Sequence, residues 1–292
     1  MGYLAAFSVV FLLIIGIYSF GYAAKQTSLL FVLLLETIFG LVIILPLMFL
    51  VNGISLKEIF YLPTQHNWMW LSAASLLGFV AGNYFSLMHI RTAGEKLNSL
   101  LSPAITAFTI GLSYFIFHDK LAAHQWLSIL LVLITIIYFL VKQSGVISYK
   151  QNGKTIFSGI ATIICISFTI ICTIKGVGNL PFLLAIWLRL FIAFLLIAPA
   201  FIISYKTKKT IPINPLFYIA ILLGVLTQTI AAAYLWLYAT FHISITIFQV
   251  ILATLPLFMY AIDVYLLKKS TPSILFLITA FIAGVGIVLA MV

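Results

Sequence analysis

Charged residues are scarce in this sequence. Only 7% of its 292 residues are charged, and five of those are acidic. A soluble domain carries about 25% charged residues, so a soluble fold is excluded. Apolar residues stand in their place, because 64% of the chain is hydrophobic and the mean hydropathy is +1.27. This composition predicts a polytopic membrane protein whose largest partner is the lipid bilayer.

Signatures of catalysis are also missing. The chain contains no H-E-x-x-H, G-x-S-x-G or P-loop spacing. Its five histidines are scattered, and Asp119 and Asp263 are both predicted near a membrane interface. We therefore expect no enzyme activity, no metal and no cofactor. The net charge of +10 lies mainly in short loops without interleaved aromatic residues, so nucleic acid is not an expected partner.

Cysteine is nearly absent. Cys165 and Cys172 fall in one predicted helix, about 10 Å apart along its axis at 1.5 Å per residue. That separation excludes a disulfide bond between them. We expect both to be small buried apolar residues.

Ten apolar runs are each long enough to cross a bilayer, which requires about 20 residues. The first run begins at Gly2 without a basic segment or a small-residue cleavage site, so it is predicted to be a span and not a signal peptide. The runs lie near residues 3–22, 29–51, 68–90, 97–117, 122–141, 155–174, 181–204, 214–239, 243–267 and 273–292.

The longest polar segment, residues 142–155, divides these runs into five and five. We expect an all-α fold in which residues 1–145 and 146–292 are two five-helix repeats of one transmembrane domain. Because five is odd, the second repeat enters the membrane from the opposite side. An inverted repeat is typical of alternating-access transporters, whose substrate site lies where the halves meet.

Short matches at a nearly constant offset support a duplication. The tripeptide LLG occurs at 76–78 and again at 222–224. A charged residue also precedes a proline by ten positions in each half, first as Glu36 and Pro46 and then as Arg189 and Pro199.

A polar stripe follows the fourth run. Its members step by three or four residues, which places them on one inward face of one helix. Either the hydroxyls join neighbouring helices, or the face lines a hydrated path. The stripe consists of Glu95, Ser99, Ser102, Thr106, Thr109 and Ser113, and the ninth run repeats its spacing with His242, Thr246, Gln249, Ala253, Pro256 and Tyr260.

Two segments carry a family resemblance. Residues 99–133 read SLLSPAITAFTIGLSYFIFHDKLAAHQWLSILLVL, and residues 184–200 read LAIWLRLFIAFLLIAPA. They resemble the fourth-to-fifth and the seventh spans of the drug/metabolite transporter superfamily, EamA-type branch. Asp119 and Lys120 stand where the family has Glu and then Arg or Lys. The resemblance implies ten spans and transport of a small metabolite, and Glu36 departs from it at the position equivalent to the seventh-span arginine.

Glu36 and Arg189 are the charges predicted deepest in the membrane. Glu36 lies eight residues into its run, about 12 Å along the helix. In an inverted repeat the two residues start from opposite faces and approach each other near the midplane. Two alternatives stay open: a structural ion pair that joins the halves, and a proton or cation site at Glu36.

Uncharged polar and aromatic residues complete the predicted site. Buried amides need partners, and aromatic walls suit a flat or cationic solute. The alternatives are helix-to-helix hydrogen bonds and ordinary packing. A weaker stripe of Thr162, Cys165, Thr169 and Thr173 follows the sixth run. The predicted substrate-binding residues are Glu36, Asn83, Tyr84, Ser99, Ser102, Trp187, Arg189, Gln228, Tyr234 and Gln249.

Loop charge and family resemblance disagree about orientation. The bias of Lys and Arg toward the cytoplasm predicts both termini outside, whereas the resemblance implies both inside. One side of the membrane receives Lys25, Arg91, Lys96, Lys142, Lys150, Lys154, Lys206, Lys208, Lys209, Lys268 and Lys269, and the other receives Lys57, Lys120 and Lys175.

These observations predict a secondary transporter of the cytoplasmic membrane, either a monomer or a homodimer. It would move a small organic metabolite, such as an amino acid or an amine, by exchange or with a coupling proton or ion. The alternative is a non-transporting scaffold or receptor. A passive channel is disfavoured because no repeated charged ring or carbonyl-rich filter sequence occurs.

Overall fold

The computed structural model describes residues 1–117, 122–143, 153–204, 214–268 and 274–291. All regular secondary structure in these ranges is helical. Eight helices are long and apolar enough to cross a membrane, and two more apolar helices coincide with the fifth and tenth predicted runs. The all-α prediction is confirmed, and the chain is a multi-span membrane protein.

The helices are numbered in chain order. A single helical turn, Glu58–Tyr61, precedes the third of them. They are α1 (Gly2–Gln26), α2 (Leu29–Asn52), α3 (Gln65–Ala93), α4 (Glu95–Phe117), α5 (Ala123–Gln143), α6 (Gly153–Val177), α7 (Phe182–Ser204), α8 (Pro215–His242), α9 (Ile245–Tyr265) and α10 (Ile274–Met291).

Short polar residues fix where several helices begin. Ser28, Asn214 and Ser244 each accept a hydrogen bond from a backbone N–H in the first turn of the next helix, which satisfies a donor that the helix itself leaves free. Thr64 forms a reciprocal capping box at the start of α3. Gly53 ends α2 in the left-handed conformation, with φ of 63°.

Two helices contain a π-helical segment in their middle. The segments are Leu76–Gly82 in α3 and Val225–Ala232 in α8. π-Helical turns are rare and frequently mark functional sites. Both LLG tripeptides found in the sequence lie at or just before these segments, so the repeated sequence accompanies a repeated irregularity of the backbone.

Two other helices are interrupted. α4 breaks at Leu100 and α9 at Thr254, and each break is followed within three residues by a proline, Pro103 or Pro256. Proline removes a backbone donor and clashes with the preceding turn, which explains both positions. The prediction of one continuous helix through the polar stripe is therefore corrected at Leu100.

Helices of the two halves of the chain pack against one another. α2 packs on α7, α4 on α9, and α5 on α10, while α1 packs along α8 and α6 along α3. Glycine permits the closest of these contacts. A Cβ at Gly16 of α1 would lie 2.4 Å from Gln228 Oε1, and a Cβ at Gly40 of α2 would lie 2.8 Å from a methyl group of Leu190.

The polar stripe of α4 faces inward, as predicted. Ser102 Oγ donates to the carbonyl oxygen of Leu252 at 2.7 Å, and Thr106 Oγ1 donates to that of Gln249 at 2.9 Å. Both hydroxyls therefore join α4 to the backbone of α9. This geometry supports the helix-joining interpretation of the stripe.

The two cysteines are free, as expected from their spacing. Cys172 is buried and Cys165 is only partly buried. Asp263, predicted near an interface, lies two residues from the end of α9, where it is 6% exposed and accepts a hydrogen bond from Tyr18. Asp119 falls outside the described residues.

Asn67 gives the first testable prediction, since it joins α3 to α6. Its Nδ2 donates to the Gly176 carbonyl at 2.8 Å, and the side chain is 7% exposed. We expect Asn67→Ala to lower the free energy of unfolding by about 1–3 kcal/mol, because a buried carbonyl loses its donor and the capping box of Thr64 loses its partner. Unfolding in mixed detergent micelles measures this. The exposed neighbour Gln65, changed to Ala, should shift it by less than about 0.5 kcal/mol, and equal effects would contradict the assignment.

Candidate functional site

A cavity of about 170 Å³ lies where α1, α2, α3, α6, α7 and α8 meet. Most of its wall is apolar, and Leu13, Phe79 and Trp236 contribute to it. The polar groups on its wall come from α2, α3, α6, α7 and α8 and are Glu36, Asn83, Thr169, Thr173, Arg189, Gln228 and Thr229. A mostly apolar pocket with a few convergent polar groups is the usual form of a small-molecule site.

Glu36 is held in the cavity wall by neutral donors. Thr229 Oγ1 donates to its Oε1 at 2.9 Å, and Asn83 Nδ2 donates to the same oxygen at 3.3 Å. The Glu36 residue as a whole is 2% exposed. A buried carboxylate that lacks a counter-ion costs several kcal/mol, and a cation or a proton that reaches it from the cavity removes this cost.

Contacts to both the backbone and the side chain of Arg189 hold it in place. Ser75 Oγ donates to its carbonyl oxygen at 2.6 Å, and its guanidinium carbon lies 5.0 Å from the centre of the Phe79 ring. Its Nε is buried and has no hydrogen-bond partner. A guanidinium with a free donor can bind a carboxylate or phosphate through two parallel hydrogen bonds.

Gly78 leaves room for this arginine. A Cβ at position 78 would lie 2.7 Å from Thr169 Cγ2 and 3.3 Å from Arg189 Nη2. The π-helical segment of α3 thus brings bare backbone against α6 and α7 at the cavity wall. Any side chain at this position would displace either the threonine or the guanidinium.

Glu36 and Arg189 share the cavity without forming an ion pair. Among the described residues, the structure contains one ion pair, in which Lys25 Nζ lies 2.6 Å from Glu95 Oε1. Both central charges line the same cavity. The structure contains no ion pair between Glu36 and Arg189, so the first of the two alternatives is not supported. Each charge remains free to meet a ligand group of opposite sign.

A second, much smaller cavity of about 20 Å³ adjoins the first. Glu36, Asn83 and Gln228 line both cavities, and we call these three side chains the partition. Gln228 Oε1 is buried without a hydrogen-bond partner. The small cavity continues from the partition toward Phe20 and Ser86.

Four of the ten predicted site residues line the large cavity, namely Glu36, Asn83, Arg189 and Gln228. The polar residues of α4 and α9 lie elsewhere. Ser99 Oγ donates to the Lys96 carbonyl at 2.7 Å, and Ser102 bonds the backbone of α9. Gln249 has no exposed surface, and both of its side-chain amide atoms lack a hydrogen-bond partner.

The predicted aromatic residues also lie outside the cavity. Trp187 stacks on Phe191 with ring centres 5.1 Å apart, and Tyr234, 36% exposed, packs against Phe182. Tyr84 meets Phe85 edge to face. The rings on the cavity wall are instead those of Phe79 and Trp236.

Sequence reasoning placed no site residue on α6, although a signal was present. Thr169 and Thr173 belong to the weak polar stripe of the sixth run, and both line the cavity. Thr229, the residue next to the predicted Gln228, lines the cavity as well. Among the described residues, no group of three or more His, Cys, Asp or Glu side chains is placed to hold a metal ion.

Comparisons with known proteins identify the fold but no function. No family model and no curated protein matches the chain. Solved structures do match, in 28 chains, so the fold recurs. One of them, described only as "Crystal structure of protein", superposes with a TM-score of 0.72 over 99% of this chain and 96% of its own, at 14% identity. At this identity the similarity establishes the fold alone.

The cavity predicts which positions a thiol reagent can reach. In a background with Cys165 and Cys172 changed to Ser, we expect Ala233→Cys to react with a small water-soluble maleimide, because residue 233 lines the cavity. Gln249→Cys should be protected, because position 249 has no exposed surface. Labelling of the folded protein in detergent measures both rates. Equal protection of the two positions would contradict a hydrated cavity.

Proposed function

We propose that this chain is a secondary transporter of the drug/metabolite type, which moves a small organic solute across the cytoplasmic membrane by alternating access. One observation carries the proposal: a central cavity holds a carboxyl group and a guanidinium that are not paired with each other. Ionisable groups at membrane depth are expensive and generally serve a solute or ion pathway.

The proposed architecture is two inverted five-helix repeats, residues 1–145 and 146–292. The packing supports it, because the second, fourth and fifth helices of each half pack on their counterparts, and the first helix of each half packs along the third helix of the other. Equivalent π-helical segments in α3 and α8, and equivalent breaks in α4 and α9, support it further.

The groups at the cavity favour a small amphipathic solute, such as an amino acid or an amine. Glu36 offers a carboxyl group to an ammonium group, and Arg189 offers donors to a carboxylate. Leu13, Phe79 and Trp236 supply an apolar wall for the body of the solute. The resemblance to the EamA-type branch, carried by residues 99–133 and 184–200, is consistent with this class.

Coupling to a gradient is assigned to Glu36. Its hydrogen bonds come from Thr229 and Asn83, which are neutral, so the charge on the carboxyl group is balanced only by what enters the cavity. A proton, a cation or the ammonium group of the solute would compete for it. Such competition is one requirement of antiport, because one carboxyl group binds only one of them at a time.

A non-transporting scaffold is the competing function. A scaffold gains little from this cavity, because replacing buried charges by well-packed apolar residues is often neutral or stabilising. The unpartnered Nε of Arg189 and Oε1 of Gln228 are costs that a bound ligand would reduce. This argument favours transport over a packing role.

Glu36→Gln tests the coupling role. The change keeps the size of the side chain and removes its charge, so we expect folding to be retained and accumulation against a gradient to be lost. Uptake of radiolabelled amino acids and amines by proteoliposomes with an imposed proton gradient measures this. Glu58→Gln is the matched control, because Glu58 begins the short helical turn before α3 and its exposed carboxylate accepts hydrogen bonds from Ser55. Normal accumulation by Glu36→Gln would refute the assignment.

A further inference from the structure

The two ends of the helix bundle differ in how they are closed. One end, which we call the Met1 end, contains Gly2 beside His242 and the Asn67–Gly176 contact. The other, which we call the Lys25 end, contains the loops after α1 and α3. The large cavity lies on the Met1 side of the partition, because Val9, Thr173 and Trp236 on its wall fall in the halves of their helices nearest that end.

The small cavity lies on the opposite side of the partition. Ser86, Leu87 and Ile90 on its wall follow Asn83 along α3 toward the Lys25 end. Phe20 of α1 closes it laterally, and a Cβ at Gly224 would lie 2.9 Å from the Phe20 ring. The two cavities and the partition therefore form one line through the protein.

An ion pair lies beyond the small cavity at the Lys25 end. Lys25 Nζ bonds Glu95 Oε1 at 2.6 Å, with the side chains 50% and 19% exposed. The pair joins the end of α1 to the start of α4. A Cβ at Gly21 would lie 2.7 Å from Glu95 Oε1, so glycine at this position lets the carboxylate lie flat on α1.

Two further contacts hold the end of α1 in place. Arg91 donates to the carbonyl oxygens of Ala24 and Thr27, which are groups that a helix end leaves free and that favour a cation. Tyr18 Oη donates to Asp263 Oδ1 at 2.7 Å and joins α1 to α9. α1 is thereby fixed to α3, α4 and α9 at one end of the membrane.

The Met1 end is held by different chemistry. Lys175, near the end of α6, lies over the rings of Trp70 and Phe117, with its Nζ 4.9 Å and 5.7 Å from the ring centres. No ion pair joins the described helices there. Among the described helices, the Lys25–Glu95 pair therefore lies at the end toward which the small cavity points.

We propose that the small cavity is the start of the solute route from the partition to the Lys25 end, and that the Lys25–Glu95 pair is the latch that keeps this route closed. The proposal rests on the alternating-access function and names a gate at the Lys25 end. Opening requires α1 to separate from α4, which breaks the pair and increases access to Ser86, a partly buried residue whose Oγ donates to Asn98 Oδ1 of α4 at 3.2 Å. The structure is then the state whose solute cavity lies on the Met1 side.

Thiol labelling at position 86 tests the latch in the purified, folded chain with Cys165 and Cys172 changed to Ser. We expect Glu95→Gln to raise the labelling rate of Ser86→Cys about two- to fivefold, the population shift that loss of a partly exposed ion pair produces. Gly21→Ala should act in the same direction by displacing the carboxylate. The charge swap of Lys25→Glu with Glu95→Lys should restore the low rate.

Two controls make the outcome specific. Glu58→Gln removes a carboxylate at the Met1 end and should leave Ser86→Cys labelling unchanged, and Ala233→Cys should not react faster when the latch is removed. If neither Glu95→Gln nor Gly21→Ala changes the labelling rate of Ser86→Cys, the latch is overturned. Labelling requires no solute, so the two proposals can fail separately. Faster labelling of Ser86→Cys in a protein that transports nothing would overturn the proposed function alone. Transport with an unchanged labelling rate would overturn the latch alone.

Discussion

Burial of two opposite charges that do not neutralise each other is the constraint on which the centre of this protein depends. Glu36 and Arg189 both line one cavity, yet each is supported by neutral neighbours: Thr229 and Asn83 for the carboxyl group, and the Phe79 ring for the guanidinium. In a membrane interior an unpaired charge costs several kcal/mol. The surrounding fold must supply that free energy through packing, and a ligand that meets both charges would recover part of it.

The π-helical segments lie beside the cavity that contains these two charges. The π-helical segments of α3 and α8 contribute Gly78, Gln228 and Thr229 to the cavity wall. A wider helical turn shifts the side-chain register by one residue, so a single helix can pack against its neighbours on both sides of the segment and still direct polar groups inward. The breaks in α4 and α9 have a different role, because there the hydroxyls of Ser102 and Thr106 join two backbones.

Much of the fold and part of the site could be predicted from the sequence. Apolar runs give spans because hydrophobic length is sufficient to define them, and Glu36 and Arg189 are recognisable as rare charges inside such runs. Periodicity showed that Ser102 faces inward, but it cannot distinguish a cavity from a neighbouring carbonyl group, and here the neighbour was α9. Aromatic residues are so common that composition could not separate Trp236, on the cavity wall, from Trp187, which stacks on Phe191.

Ligand-induced thermal stabilisation of the purified protein tests the central claim most directly. Amino acids, amines, nucleosides and organic acids would be screened against the wild type, Arg189→Gln and Gln249→Leu. We predict a saturable rise in stability with one class, about 2.7 kcal/mol at a hundredfold excess over its dissociation constant, which Arg189→Gln abolishes and Gln249→Leu preserves. A rise that survives Arg189→Gln, or no rise with any class, would contradict a solute site between Glu36 and Arg189.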